Sequence, residues 1–191
     1  MTDVMFTAGT AVLEIVMTTN TMKGSIVLCR KIDVEVVQNF LDVIDPMLRR
    51  GIEIDVYLDS HGGDLRASLL LARFLGKRAR RLASYNLGSV DSAATLLFMA
   101  AGRRVARPDA SFGIHSPLDL SAGEVNCGCG RVVEKLTDET CQFMQERIGL
   151  QKSLWRKMMA KGVSLSADQA MKLGVVTEMR CPVVPRKTIY V

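Results

Sequence analysis

Short runs rich in β-branched residues alternate with longer amphipathic or wholly apolar segments along most of the chain. The short runs predict β-strands and the longer segments predict helices. Strands are predicted at 10–17, 24–29, 52–60, 80–87, 103–108, 111–117 and 175–179, and helices at 33–51, 65–78, 92–101, 132–148, 153–161 and 166–174. No linker, low-complexity segment or internal repeat interrupts this order. It predicts one α/β domain over residues 1–191 with right-handed crossovers.

Two helical segments carry further predictions about their ends and their continuity. Asp33 is placed to cap the helix of residues 33–51, and Pro46 inside that segment predicts a kink or a division. The CGCG stretch at 127–130 contains two glycines, which favour a loop. The long helix at 132–148 is therefore expected to start late.

The composition is that of a folded globular protein, with 48% hydrophobic and 24% charged residues among 191. The apolar run from Ala93 to Ala101 is far shorter than the roughly 20 residues that span a bilayer. The N-terminus carries Asp3 and Glu14 and has no basic region, so it does not predict a signal peptide. We expect a cytoplasmic location and no membrane partner.

Net charge and cysteine content add little to this picture. The net charge is +5, but the basic residues are scattered with few aromatic residues between them, which predicts a solvated surface and no nucleic-acid partner. Five cysteines form no obvious disulfide framework and are expected to be reduced thiols. Cys127 and Cys129 make one C-x-C pair, with no second Cys or His pair at zinc-finger spacing. Neither a metal nor a cofactor is predicted.

The first candidate for chemistry is the sequence YLDSHGGDL, where a predicted strand ends and a helix begins. Gly62 and Gly63 tolerate positive φ angles and leave free amide groups, which can bind a developing oxyanion. An ordinary glycine turn explains the same residues, and on its own it is the better explanation.

Ser92 is the second candidate, because it directly precedes the apolar helix. Its side chain can cap that helix, or it can be a nucleophile with the Ala93 amide as an oxyanion donor. Ser89 is a rival nucleophile, but it is expected to lie among loop residues and one turn too early.

The third candidate is His115, at the end of an apolar strand and just before Pro117. A general base needs a fixed imidazole, and a strand end provides one, although a lone histidine is more often structural. His61, the second histidine, lies in the glycine turn and is a less orthodox candidate for a base.

In combination these signals resemble the proteolytic subunit of the Clp protease, in the superfamily shared with the crotonases. That family's SPGG motif leads to a nucleophilic serine about thirty residues on, and Ser92 follows Gly62 by 30 residues. The stretches SAATLLFMAAG, RRVARPDASFGIHSP and SLSADQAMKLGVVTEM are similar to the family's apolar helix, its MIHQP strand and its LSAxEAxxxGLVDxI pattern. The resemblance covers residues 24–180, and the SAA wording is similar to phage-type and short Clp-like peptidases.

The resemblance implies a fold, an activity and residue roles. The fold is a ClpP/crotonase-like α/β spiral of repeated β-β-α units, with the helix from Val132 as a protruding handle. Ser92 is implied as the nucleophile, His115 as the base, and the amides of Gly63 and Ala93 as the oxyanion hole of a serine endopeptidase that forms an acyl-enzyme. Implied partners are a peptide or unfolded-protein substrate, a homo-oligomeric ring (heptameric or stacked as a double ring) and an AAA+ ATPase unfoldase.

The sequence departs from the family at the third catalytic position. Gly162 stands where the family has its aspartate, and a glycine has no side chain to orient the base. Asp119 and Asp109 are the acids nearest to His115 in sequence and are the candidates for a third member. Asp91 is expected to point away from the neighbouring serine.

These departures leave alternatives open. His61 replaces the family's usual proline, and it either contributes to the site or is only tolerated. Gly162 supports a catalytically impaired, structural subunit of a mixed ring. A crotonase-type acyl-CoA enzyme would use the same paired amides, but no acid follows Ala93 as such an enzyme requires. A nucleic-acid-binding module rests on the net charge alone.

Overall fold

The computed structural model describes residues 5–8, 11–14, 16–18, 21–117, 129–186 and 188–191. The strands in those residues are β1 (Met5–Ala8), β2 (Ala11–Glu14), β3 (Val16–Thr18), β4 (Thr21–Leu28), β5 (Glu53–Ser60), β6 (Leu82–Asp91), β7 (Arg103–Ala106), β8 (Ser111–Ile114), β9 (Val163–Ser166), β10 (Glu178–Met179) and β11 (Ile189–Tyr190). The helices are α1 (Val34–Arg49), α2 (Leu65–Gly76), α3 (Ala94–Ala100), α4 (Cys129–Ile148), α5 (Lys152–Lys161) and α6 (Ala167–Lys172), with a short 3₁₀ helix at Ala79–Arg81.

A mixed sheet forms the centre of the fold. Its main path runs β10-β7-β6-β5-β4-β11, and every neighbouring pair on that path is parallel. β3 is antiparallel to β4, β8 is parallel to the second half of β6, and β9 is antiparallel to β8. Parallel neighbours need helical crossovers, so this topology confirms the predicted α/β class.

α1 shows one confirmed prediction and one departure. The Asp33 carboxylate accepts the Val36 amide at 2.8 Å and caps the helix, as the sequence predicts. Pro46 does not divide the helix, which runs unbroken over Val34–Arg49. The proline lies near the C-terminal end and removes only one backbone hydrogen bond. Burial of the apolar face of α1 against the sheet outweighs that loss.

α3 is buried at every residue, in agreement with its apolar sequence. It packs between β6, α2 and α4. Arg147 of α4 donates to the carbonyl oxygens of Met99 at 3.1 Å and Ala100 at 3.0 Å, and so satisfies the C-terminal end of α3. The helix that follows Ser92 is therefore fixed along its sides and at its end.

β6 is longer than its sequence pattern predicts. Its first half pairs with β7 and its second half with β8, so that Ser89 lies opposite Ser111. The prediction that Ser89 lies among loop residues is therefore wrong. Strand pairing continues to Asp91, which places Ser92 directly at the junction between the strand and α3.

Other element boundaries also differ from the predictions. α4 begins at Cys129 with Gly130 in its first turn, so the predicted late start is wrong. One glycine costs a helix only about 1 kcal/mol, which the packing of a long amphipathic helix outweighs. The described residues of the strand predicted at 10–17 belong to β2 and β3, and only Glu178–Met179 pairs within the segment 175–179.

Within the described ranges, no helix is long and apolar enough to cross a membrane. Cys29, Cys141 and Cys181 are free thiols, while Cys127 lies outside the described residues. The described part of the chain also holds no cluster of three or more His, Cys, Asp or Glu side chains that could bind a metal ion.

Candidate active site

Ser92 has a backbone conformation that is rare for any residue other than glycine. Its φ is +54°, in the left-handed region. The conformation is held on both sides, because the Ser92 amide donates to Gly113 O at 2.7 Å and the Ser92 carbonyl accepts from the Thr95 hydroxyl at 2.6 Å. Ala93 occupies the N-cap position of α3, without a side-chain cap. The interpretation of Ser92 as a helix N-cap is therefore wrong, and its hydroxyl is free of that role.

The glycine turn packs directly against Ser92. Gly62 has φ +89°, and a Cβ atom there would lie 2.9 Å from Ser92 Cβ and 2.8 Å from the Ala93 amide nitrogen. Gly63 has φ +155°, and a Cβ there would overlap the Ile32 carbonyl. Each position admits only glycine, because a side chain would be strained in φ and would also clash.

The same turn is tied to the loop after β4 by two backbone hydrogen bonds. Ile32 N donates to Gly62 O at 2.9 Å, and Asp64 N donates to Ile32 O at 2.7 Å. Among the described residues, the amides of Gly63 and Ala93 have no hydrogen-bond partner. Two amides left free beside a serine are what an oxyanion hole requires.

His115 follows β8 and has a fixed ring. Its Nδ1 lies 2.7 Å from the carbonyl oxygen of Ser116. A carbonyl oxygen can only accept, so Nδ1 carries the proton and Nε2 of the neutral ring is the basic nitrogen. The described residues show no hydrogen bond between His115 and Ser92.

One cavity of about 460 Å³ contains the candidate residues. Ser92, His115, Gly63 and His61 all line it. Its remaining wall is largely apolar and comes from α3, β8, α4 and α5. The apolar side chains are Leu96, Ile114, Val133, Leu136, Met144 and Met159. A peptide with an apolar side chain beside the bond to be cleaved matches such a wall.

Gly162 lies beside His115, where the resemblance implies an aspartate. It caps α5 at its C-terminus with φ +65°, and a Cβ there would be 4.0 Å from His115 Cβ. The Ser116 amide donates to Met159 O at 2.9 Å and joins the end of β8 to α5. Next to His115, a backbone carbonyl holds the ring and position 162 supplies no carboxylate.

The structure does not bring Asp109 to His115. Asp109 precedes β8 while His115 follows it, so the four residues of that strand, about 13 Å at 3.3 Å per residue, separate them. The Asp109 carboxylate pairs with Arg107 at 2.7 Å, and this hydrogen bond lowers the pKa of Asp109. Asp119 lies outside the described residues.

A carboxylate does reach the other histidine. Asp91 Oδ2 lies 2.9 Å from His61 Nδ1 and accepts the Ser89 hydroxyl at 2.6 Å. The hydrogen bond and charge of Asp91 raise the pKa of His61. Partial burial acts to raise the pKa of Asp91, but the hydrogen bonds from Ser89 and His61 outweigh it and leave that pKa lowered. Sequence analysis missed this pair, although both residues adjoin the two turns expected to meet at the site.

The fold and this cavity define an α/β protein of the ClpP/crotonase class, with a serine and two free amides at a strand–helix junction. The chain belongs to the Clp protease family, because the family's sequence profile matches residues 9–181. This match confirms the predicted resemblance.

A solved structure supports the fold. A point mutant of ClpP1 from Listeria monocytogenes superposes with a TM-score of 0.67 at 18% identity, over 85% of this chain and 92% of that chain. At that identity the likeness establishes the ClpP-like fold and nothing about individual residues.

Proposed function

We propose that this chain is the serine endopeptidase subunit of a Clp-type self-compartmentalised protease, with Ser92 as its nucleophile. The observation that carries the proposal is the backbone of Ser92, which is held at φ +54° against the glycine turn with no capping role. Strained backbone at a serine in a cavity is typical of a residue placed for chemistry. Membership of the Clp protease family supports the class of reaction.

The reaction proceeds in two halves. His115 Nε2 accepts the Ser92 hydroxyl proton as Oγ attacks the scissile carbonyl carbon, and the amides of Gly63 and Ala93 stabilise the oxyanion. His115 then donates that proton to the leaving amine, the peptide bond breaks and the acyl-enzyme remains. Water then attacks the ester with His115 again as base. This step frees the Ser92 hydroxyl and releases a peptide that has a new carboxyl terminus.

The Ser116 carbonyl replaces only part of what a triad aspartate provides. It fixes the ring tautomer through the 2.7 Å hydrogen bond to Nδ1. It carries no full negative charge, so it stabilises the imidazolium less well than a carboxylate does. Loss of that aspartate from a triad typically lowers kcat by about 10⁴, so we expect slow hydrolysis.

A catalytically impaired structural subunit of a mixed ring is the second candidate, and Gly162 is the observation that favours it. With only hydrogen next to His115 at this position, the imidazolium lacks a counter-charge. The two candidates share the fold and the ring and differ in whether Ser92 reacts.

Assembly and partners follow from the same proposal. We infer a homo-oligomeric ring, heptameric or stacked as a double ring through α4, that receives unfolded substrate from an AAA+ ATPase. The free thiols of Cys29, Cys141 and Cys181 are consistent with a cytoplasmic location.

Labelling with a fluorophosphonate, read by intact mass, tests the proposal. Wild type is compared with Ser92→Ala and His115→Ala, each checked for folding by circular dichroism and for assembly by light scattering. We expect a single adduct on wild type that is absent from Ser92→Ala and strongly slowed in His115→Ala. A folded and assembled wild type that takes no adduct would rule out the active peptidase and leave the structural subunit.

A further inference from the structure

The mouth of the Ser92 cavity carries two cationic side chains that have no ion-pair partner among the described residues. Lys31, in the loop after β4, and Arg66, in the first turn of α2, both line the cavity and are exposed. Asp64 also lines the cavity, where its carboxylate caps α2 by accepting the Ala67 amide at 2.9 Å and places one negative charge beside the two cations.

His61 adds a third group to this mouth, and its position is fixed. Its side chain is 90% exposed, yet Nδ1 is held 2.9 Å from Asp91. Asp91 is itself held by the Ser89 hydroxyl at 2.6 Å and is packed against Gly113, where a Cβ would lie 2.7 Å from its carboxylate. Because Asp91 occupies Nδ1, the Nε2 of His61 is the nitrogen left to contact a ligand.

The charged groups around His61 favour its protonated form. Asp91 and, more weakly, Asp59 act on it from β6 and β5 and raise its pKa. Lys31, Arg66 and Asp64 are the other charged groups that line the cavity with His61. Because the pKa of His61 is raised, its imidazolium persists to a higher pH than in a free histidine.

A second cavity, also of about 460 Å³, continues from the first. It shares Lys31, His61 and Gly63 with the Ser92 cavity and adds Arg30 and Asp59. The Asp59 carboxylate accepts the Ser89 amide at 3.0 Å and keeps its negative charge, which lies in the same cavity as the positive charge of Arg30. A peptide that extends from Ser92 across both cavities therefore passes the shared cations.

We propose that Lys31, His61 and Arg66 form a cationic rim that selects peptides with a carboxylate close to the bond presented to Ser92. The carboxylate can belong to an Asp or Glu side chain or to the C-terminus of the peptide, since both offer the same pair of acceptor oxygens. The proposal rests on the proposed peptidase function, and it names the residues that determine specificity within it. His61 is the member placed closest to the glycine turn.

Equilibrium binding to the Ser92→Ala variant tests the rim without requiring catalysis. Three peptides carry the same neutral fluorophore and a central leucine: one with an adjacent Glu and an amidated C-terminus, one with Gln and an amidated C-terminus, and one with Gln and a free C-terminus. At pH 6 and low salt we expect the Glu peptide to bind about fivefold more tightly than the amidated Gln peptide. If the Gln peptide with a free C-terminus binds more tightly than the Glu peptide, the preferred carboxylate is that of the peptide's C-terminus.

Variants added to Ser92→Ala locate the effect. In His61→Gln the Glu/Gln preference should fall below about twofold, and Lys31→Gln and Arg66→Gln should each reduce it. Arg73→Gln is the matched control, since it removes one positive charge from α2 two turns beyond Arg66 and away from the cavity. Its preference should equal that of the parent.

Salt and pH provide the remaining outcomes. The preference should shrink as ionic strength rises and as the pH rises through the pKa of His61. Three outcomes would overturn the rim. In the first, the Glu and amidated Gln peptides bind equally and a free C-terminus brings no gain. In the others, no peptide binds, or His61→Gln leaves the preference unchanged. Failure of fluorophosphonate labelling, with the preference intact, would overturn only the peptidase function.

Discussion

Two histidines reach the cavity beside Ser92, and chemically different partners hold them. His115 Nδ1 faces a backbone carbonyl at 2.7 Å, while His61 Nδ1 faces the Asp91 carboxylate at 2.9 Å. A neutral carbonyl fixes a tautomer and leaves the ring a base, whereas a carboxylate also favours the cationic form. This difference is the basis of the two roles we propose, proton transfer for His115 and charge recognition for His61.

The comparison shows that the glycine at position 162 does not leave the His115 ring without a partner. Gly162 removes the carboxylate next to His115, but the Ser116 carbonyl keeps the ring in one orientation. The acid–histidine pair that the sequence leads one to seek beside His115 is present instead at His61. The four predictions below test this division, from the largest expected effect to the smallest.

Replacement of each histidine should separate the two roles. We expect His115→Ala to slow labelling of Ser92 by a neutral fluorophosphonate by about 10² to 10⁴, because a general base contributes that much. His61→Ala should change the same rate by less than about threefold, because its Nδ1 is committed to Asp91 and its role is in recognition. Second-order labelling rates provide the measurement, and a larger loss in His61→Ala than in His115→Ala would reverse the assignment.

Restoring an acid next to His115 should increase the rate. In Gly162→Asp the new carboxylate can compete with the Ser116 carbonyl for Nδ1, and we expect a gain of about tenfold in peptide hydrolysis. Both Asp and Asn tolerate a φ of +65° better than other side chains, so Gly162→Asn is the matched control. Each variant should lower the free energy of unfolding by about 1 kcal/mol. A rate gain in Gly162→Asn as large as that in Gly162→Asp would exclude the charge as the cause.

Asp91→Asn removes the charge that holds His61. We expect the rate of Ser92 labelling to change by less than about threefold, while the preference for the Glu peptide falls toward that of His61→Gln. Ser89→Ala, which removes only the hydroxyl that also contacts Asp91, should give a smaller loss of preference. A loss of labelling of about 10² in Asp91→Asn would instead make His61 and Asp91 the catalytic pair.

The His61–Asp91 pair should stabilise the fold within a limited pH range. His61 has a pKa above its ordinary 6.5, so its contribution is complete below that pH and is lost as the pH rises through the raised value. Asp91 has a pKa below its ordinary 3.8, so its contribution is present above that pH and is lost on acidification. The urea midpoint of wild type should exceed that of His61→Gln most between about pH 4 and pH 6.5. A difference that grows toward pH 9 would contradict the ion pair.

The sequence pattern predicted most of the fold, because most strands, helices and helix ends are specified by residues that are close together in the chain. Alternation of β-branched and apolar segments identifies the strands and crossovers, and Asp33 marks the start of α1. The length of β6 could not be predicted in this way. Its second half is held by β8, which comes some twenty residues later in the chain, and the residues around Ser89 are weak strand formers by themselves.

The sequence predicted residues that the fold brings to one cavity, but not the groups that hold them. The glycine pair was a candidate because glycine tolerates positive φ and a close backbone approach, Ser92 because it precedes the apolar helix, and His115 because it ends a strand. The family motifs then joined the three. What holds each histidine depends on side-chain directions. Asp91 turns toward His61 because β6 continues through position 91 before the chain reverses at Ser92, and no spacing rule contains that information.

The left-handed backbone at Ser92 has a consequence for selection. A φ of +54° costs an L-residue roughly 1–2 kcal/mol that glycine would not incur, so for folding alone glycine is the better residue at position 92. Glycine would relieve that strain but would cost about 0.5–1 kcal/mol in conformational entropy, so the net gain in stability is about 1 kcal/mol or less. A serine at a position where the backbone favours glycine is the residue we expect if its hydroxyl is the proposed nucleophile.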